Sequence, residues 1–82
     1  MMQVRVQFYS YFKELAGGAE ARLALPEGST VADLLTAVHE RFPALAGTAK
    51  ATLVAVGVDY QPRSYVLREG DEISLFPPVQ GG

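Results

Sequence analysis

A single helical stripe, set among segments of period two, constrains this chain more than any other feature. Val31, Leu34, Leu35, Val38 and Phe42 fall at i, i+3, i+4, i+7 and i+11, which puts them on one face of an α-helix. Thr30 followed by Asp33 is a capping-box variant that places a carboxylate in the positive first turn. Pro43 ends the pattern. The helix is therefore predicted over about Val31 to Phe42. In the segment before it, Met2, Val4, Val6 and Phe8 alternate with Arg5, Gln7 and Tyr9, the signature of a strand with one buried face. A short connection from Ser10 to Gly18 carries one or two helical turns around Phe12 and Leu15 and closes on Gly17-Gly18. Alternation returns at Ala21, Leu23 and Leu25 and stops at Pro26-Glu27-Gly28.

Beyond the helix the signals change. Ala44 to Thr52 reads as a small-residue loop. Leu53-Val54-Ala55-Val56-Gly57-Val58 is a continuous apolar run, expected of a central strand buried on both faces. Asp59 to Ser64 has turn chemistry, Tyr65-Val66-Leu67 reads as a short strand, and Arg68-Glu69-Gly70-Asp71 as a turn. Glu72 to Phe76 is the last strand, with Ile73 and Leu75 inward and Ser74 and Phe76 outward, and Pro77 stops its pairing. One long helix and about five strands in this order predict an α+β roll of the β-grasp type. A mixed sheet wraps the helix, and its first and last strands run parallel in the middle. Residues 1–76 form the domain and residues 77–82 a tail.

Composition narrows the functional classes. Eighty-two residues make one small domain. A net charge of −2 gives no basic stripe for nucleic acid. No apolar run is long enough for a membrane span and no charged-then-apolar leader follows Met1, so a cytoplasmic location is expected. Without cysteine there is no disulfide or thiolate metal site. His39 stands alone without a second ligand at usable spacing, and is expected to be a solvated surface residue. Asp71-Glu72, at a tight turn, is likewise expected to be solvated rather than to act as an acid–base pair.

The tail carries the sharpest functional signal. It reads Phe76-Pro77-Pro78-Val79-Gln80-Gly81-Gly82. With glycine at roughly 7% of residues, a terminal glycine pair arises by chance in about one chain in two hundred. Pro77-Pro78 makes a semi-rigid spacer, and six extended residues reach on the order of 20 Å. Gly82 is expected to present an uncrowded carboxylate on a slim probe that can enter a channel in another protein. Gly81 and Gly82, having no Cβ, permit close backbone approach. Strand parity puts Tyr9 and Phe76 on the open face of the sheet, away from the helix. Tyr60 is placed to join them in an interaction patch beside the tail.

Three stretches together carry a family resemblance: Phe76-Pro77-Pro78-Val79-x-Gly81-Gly82 preceded by Gly70-Asp71-Glu72-Ile73; Val6-Gln7-Phe8-Tyr9 followed by Phe12-Lys13-Glu14-Leu15-Ala16-Gly17; and Gly28-Ser29-Thr30-Val31-Ala32-Asp33-Leu34-Leu35. Over essentially its whole length the chain resembles the small, sulfur-carrying subunits of molybdopterin synthases, with Gly57 and Gln80 departing from the pattern. That resemblance implies a carrier rather than a catalyst. An E1-like adenylating partner would use ATP and magnesium to activate the Gly82 carboxylate, and a sulfur donor would convert the acyl-adenylate to a thiocarboxylate. The large synthase subunit, in a heterotetramer of two small and two large subunits, would supply the catalytic groups and hold the pterin precursor. No permanently bound cofactor is implied. Tyr9, Tyr60, Phe76, Pro77, Pro78 and Val79 are the expected partner-binding residues. Two alternatives share the same terminal chemistry: a carrier for thiazole or transfer-RNA thiolation, and a ubiquitin-like modifier conjugated to lysines.

Overall fold

The computed structural model describes residues 1–48 and 52–77. Five strands form one mixed sheet: β1 (Met2–Phe8), β2 (Glu20–Leu25), β3 (Leu53–Val56), β4 (Asp59–Tyr60) and β5 (Glu72–Phe76), in the spatial order β2-β1-β5-β3-β4. β1 pairs antiparallel with β2 and parallel with β5, so the first and last strands lie side by side inside the sheet. β3 pairs antiparallel with both β5 and β4. Two helices complete the fold, a short α1 (Phe12–Ala16) and a long α2 (Val31–Arg41). α2 buries Val31, Leu34, Leu35 and Val38 and shares one core with the inward residues of β1, β2, β3 and β5. This is the β-grasp roll the sequence pattern predicts.

Local chemistry explains the boundaries. At the start of α2 the Asp33 N–H donates to the Thr30 hydroxyl (3.3 Å) and the Thr30 N–H donates to an Asp33 carboxylate oxygen (2.9 Å), a complete capping box that occupies two otherwise orphaned donors. Phe42 closes the helix, its N–H donating to the Val38 carbonyl at 2.7 Å, and Pro43 follows. α1 ends at Gly17 with φ of 77°, a left-handed conformation that glycine adopts without steric cost. Phe12 plugs into the core, whereas Leu15 stays partly exposed.

Four expectations from the sequence need correction. The apolar run is not one central strand. β3 stops at Val56, because Gly57 at φ 64° turns the chain into the two-residue strand β4. Val58 sits at that turn 96% exposed, and Leu53 is 39% exposed on the open face. Asp59 and Tyr60, which have turn chemistry, are therefore strand. Tyr65-Val66-Leu67 makes no strand; Val66 forms a single bridge with Thr30, and the segment is pinned by the Leu67 N–H to the Ser29 carbonyl at 2.9 Å. The stretch after α2 is a 3-10 helix over Pro43–Thr48 rather than a plain loop, and it drives Leu45 into the core. Ser74 points to the open face as expected but is buried, lying in register between Gln7 and Ala55.

Candidate functional site: the aromatic end of the open sheet face

The strands that bury one face against α2 leave the opposite face without a covering layer among the described residues. At the end where the chain leaves β5, register places Leu53 across from Phe76, and Tyr60 across from Ala55. Tyr9 continues β1 alongside Phe76, its N–H donating to the Leu75 carbonyl at 3.2 Å. The rings meet. Tyr9 stacks on Phe76 with centroids 4.6 Å apart and planes 16° apart. Tyr60 approaches the same ring edge-on at 6.3 Å and 67°. Ala55 and Ser74 are small enough to form the floor between these larger side chains. Tyr60 is 69% exposed and Tyr9 38% exposed, so the cluster presents apolar surface next to Pro77.

Strand parity puts Tyr9 and Phe76 on the open face, and Tyr60, placed beside them because it follows the buried run, meets the Phe76 ring; Leu53 is missed. A run that reads as buried on both faces hides it. Its parity with Ala55, opposite to that of the buried Val54 and Val56, is the available signal. Pro77 is half-buried immediately after the cluster. Pro78, Val79, Gly81 and Gly82 lie outside the described residues.

The other end of the open face has a different chemistry. Arg5 reaches Glu20 at 3.3 Å and Glu72 at 3.6 Å, with these side chains close to half exposed. Glu72, expected to be merely solvated, is thus an ion-pair partner. Its neighbour Asp71 closes the preceding turn by accepting the Arg68 N–H at 2.9 Å. His39 is half-buried rather than freely solvated, and partial burial pushes its pKa below the usual histidine value. Among the described residues no group of three His, Asp or Glu side chains is placed to hold a metal ion, and no helix is long and apolar enough to cross a membrane. A concavity of about 490 Å³ is an open groove between the end of β2 and one side of α2; its carboxylates are Glu27, Asp33 and Glu40. Asp33 is already committed to the helix cap, and nothing there converges on a ligand.

The ThiS family model matches this chain over residues 6–82. The chain belongs to the ThiS family. It is 32% identical over 83 residues to the molybdopterin synthase sulfur carrier subunit of Chlamydomonas reinhardtii, covering 99% of this chain and 100% of that one. Among solved structures, small archaeal modifier protein 1 of Haloferax volcanii superposes with a TM-score of 0.88 at 26% identity, covering 98% of this chain and 99% of the other. A chain from the complex of subunits 1 and 2 of the molybdopterin-converting factor of Helicobacter pylori shares the fold. Its TM-score is 0.71 at 24% identity, covering 99% of this chain and 100% of the other.

Proposed function

We propose that this member of the ThiS family is the sulfur-carrier subunit of a molybdopterin synthase and that the carboxyl group of Gly82 is its working group. The observation that carries this reading is the likeness to a sulfur carrier subunit over 99% of this chain and the whole of that one. A carboxylate resists nucleophiles because its charge is shared by both oxygens. An E1-like adenylating partner, using ATP and magnesium, joins it to AMP with release of pyrophosphate. A sulfur donor then attacks the acyl carbon, AMP leaves, and a thiocarboxylate remains. The thiocarboxylate sulfur is a nucleophile at neutral pH; it bonds to a carbon of a pterin precursor held by the large subunit, and water then breaks the acyl–sulfur bond, leaving sulfur on the pterin and returning Gly82 to a carboxylate. In the heterotetramer of two small and two large subunits, the acids and bases of that step belong to the large subunit. The small subunit delivers the reagent in the cytoplasm.

The aromatic end of the open face is the docking surface in this reading. Tyr9, Tyr60, Phe76 and Leu53 anchor the domain, and Pro77, Pro78 and Val79 lead the terminus into the partner. Tethering through the domain raises the effective concentration of Gly82 at the reacting centre. The likeness to an archaeal modifier favours a second reading, in which the same acyl-adenylate ends as an amide on a target lysine.

Intact mass separates the two. Incubation with the cognate adenylating enzyme, ATP, magnesium and a sulfur source should add about 16 Da as sulfur replaces oxygen. Deleting Gly82, or extending the chain past it, should abolish the change. A shift that survives in the truncated chain overturns the carrier reading, and lysine conjugates formed without the mass shift support the modifier.

A further inference from the structure

Tyr9 is held from four directions. Its N–H donates to Leu75 in the β5 ladder at 3.2 Å and its ring lies on Phe76. Its hydroxyl donates to the Gln7 side-chain carbonyl at 2.7 Å, two residues back on the same face of β1. Its own carbonyl accepts the Phe12 N–H of α1 at 3.2 Å. Between Tyr9 and α1 the chain bends sharply at Ser10, the one non-glycine residue with positive φ (58°) among those described. A serine held there is strained, and such strain persists only where the surroundings over-determine it. Phe76, the residue under the Tyr9 ring, is the last paired position before Pro77 and therefore the hinge point from which the tail departs.

We infer that Gln7 is a positioning residue: by accepting the Tyr9 hydroxyl it holds that ring flat on Phe76 and so sets the direction in which the tail leaves the sheet. The physical case is geometric. A phenol ring free to rotate about its side-chain torsions has no reason to stay parallel to a neighbour, since edge-on and offset arrangements are both favourable. The contrast lies in the same cluster, where Tyr60 meets Phe76 edge-on at 67°. Phe76 is the last paired residue before Pro77, so what fixes its side chain acts at the root of the segment that carries the reacting group, and small misplacements of a reacting group cost rate steeply. The inference rests on the carrier reading for its consequence but not for its geometry.

Two variants and two readouts test it. Gln7→Ala removes the acceptor, and Tyr9→Phe removes only the donor hydroxyl while keeping the ring's apolar surface. In isolated protein, nuclear Overhauser contacts between the ring at position 9 and the Phe76 ring should weaken in both variants, and the order parameter of the Phe76 amide should fall. In the reconstituted synthase loaded with thiocarboxylate, the single-turnover rate of sulfur transfer at saturating carrier should fall about three- to tenfold, the scale of one ordinary hydrogen bond. For Gln7→Ala, which leaves the docking anchors in place, the Kd for the large subunit should stay near wild type. The double variant should be no worse than either single one, because both remove the same bond. Wild-type ring contacts in both variants overturn the inference, as does a loss confined to Kd. If wild-type protein transfers no sulfur at all, the carrier reading falls, and the ring contacts and the Phe76 order parameter alone decide the role of Gln7.

Discussion

On the face turned to α2, β1 contributes Val4, Val6 and Phe8, β5 contributes Ile73 and Leu75, and β3 contributes Val54 and Val56, all buried in one core. The same strands present Arg5, Gln7, Tyr9, Glu72, Phe76 and Leu53 to the other side. The alternation of period two that makes one face anonymous hydrophobic packing makes the other face a set of individual side chains. That outer face is itself divided, with Arg5 bridging Glu20 of β2 and Glu72 at the start of β5, and Tyr9, Tyr60, Phe76 and Leu53 at the end where the tail departs. An ion-paired end is stable in water. An aromatic end without a covering layer is surface suited to a partner.

The sharpest separation of the two faces comes from the core. Leu34 is fully buried, and Leu34→Ala should cost roughly 2–5 kcal/mol in chemical denaturation, a large part of a small domain's stability. A loss below about 1 kcal/mol would mean the inner face is not the structural one.

Phe76→Ala should do the reverse. It should weaken binding to the large subunit by at least about 2 kcal/mol, or more than tenfold in Kd, while circular dichroism shows the domain still folded. Binding like wild type would remove the aromatic end from the interface.

A smaller effect is expected at the charged end. Arg5→Ala breaks two solvent-exposed ion pairs, so its cost in a thermal melt should stay below about 1 kcal/mol and shrink in salt. Its Kd for the large subunit should stay within a few-fold of wild type. If Arg5→Ala weakens binding as much as Phe76→Ala, the outer face works as one interface and the division into two ends fails.

The smallest effect lies outside the sheet, at His39 on α2. Its folded-state pKa is depressed by desolvation, so protonation favours the unfolded chain. Stability is therefore retained above the unfolded pKa and declines as pH falls through the histidine range, from about pH 7 to 5. His39→Gln should flatten that decline in denaturation midpoints. A decline that persists unchanged would assign it to the carboxylates.

The sequence reads best where the rule is local. The helix stripe, the Thr30–Asp33 box and the parity of β1 and β5 depend on spacings within one turn or one strand, and each appears in the fold as written. It reads worst where a residue's state depends on who lies across from it. Residues 53–58 look like one buried strand because hydrophobicity alone does not distinguish core from turn. Gly57 and the pairing of Ala55 with Tyr60 make a hairpin instead. Tyr65-Val66-Leu67 has strand composition, but β4 takes the place beside β3 and only Val66 finds a bridge partner. Within the candidate site, Tyr9 and Phe76 are legible from parity and Tyr60 from its place after the apolar run, whereas Leu53 and Gln7 are not. Leu53 belongs to a run that reads as interior, and Gln7 offers only a polar side chain on an open face.

By itself, then, the amino-acid order determined an α+β roll around one helix and the core residues of that helix and its two middle strands. Tertiary structure decided which end of the open face gathers the aromatics, that Phe76 lies under Tyr9 at the last paired position, and that Gln7 holds the stack. The physical reason is the register of a parallel pair. β1 and β5 are separated by most of the chain, no local signal sets their alignment, and a shift of one residue would turn Phe76 to the opposite face of the sheet.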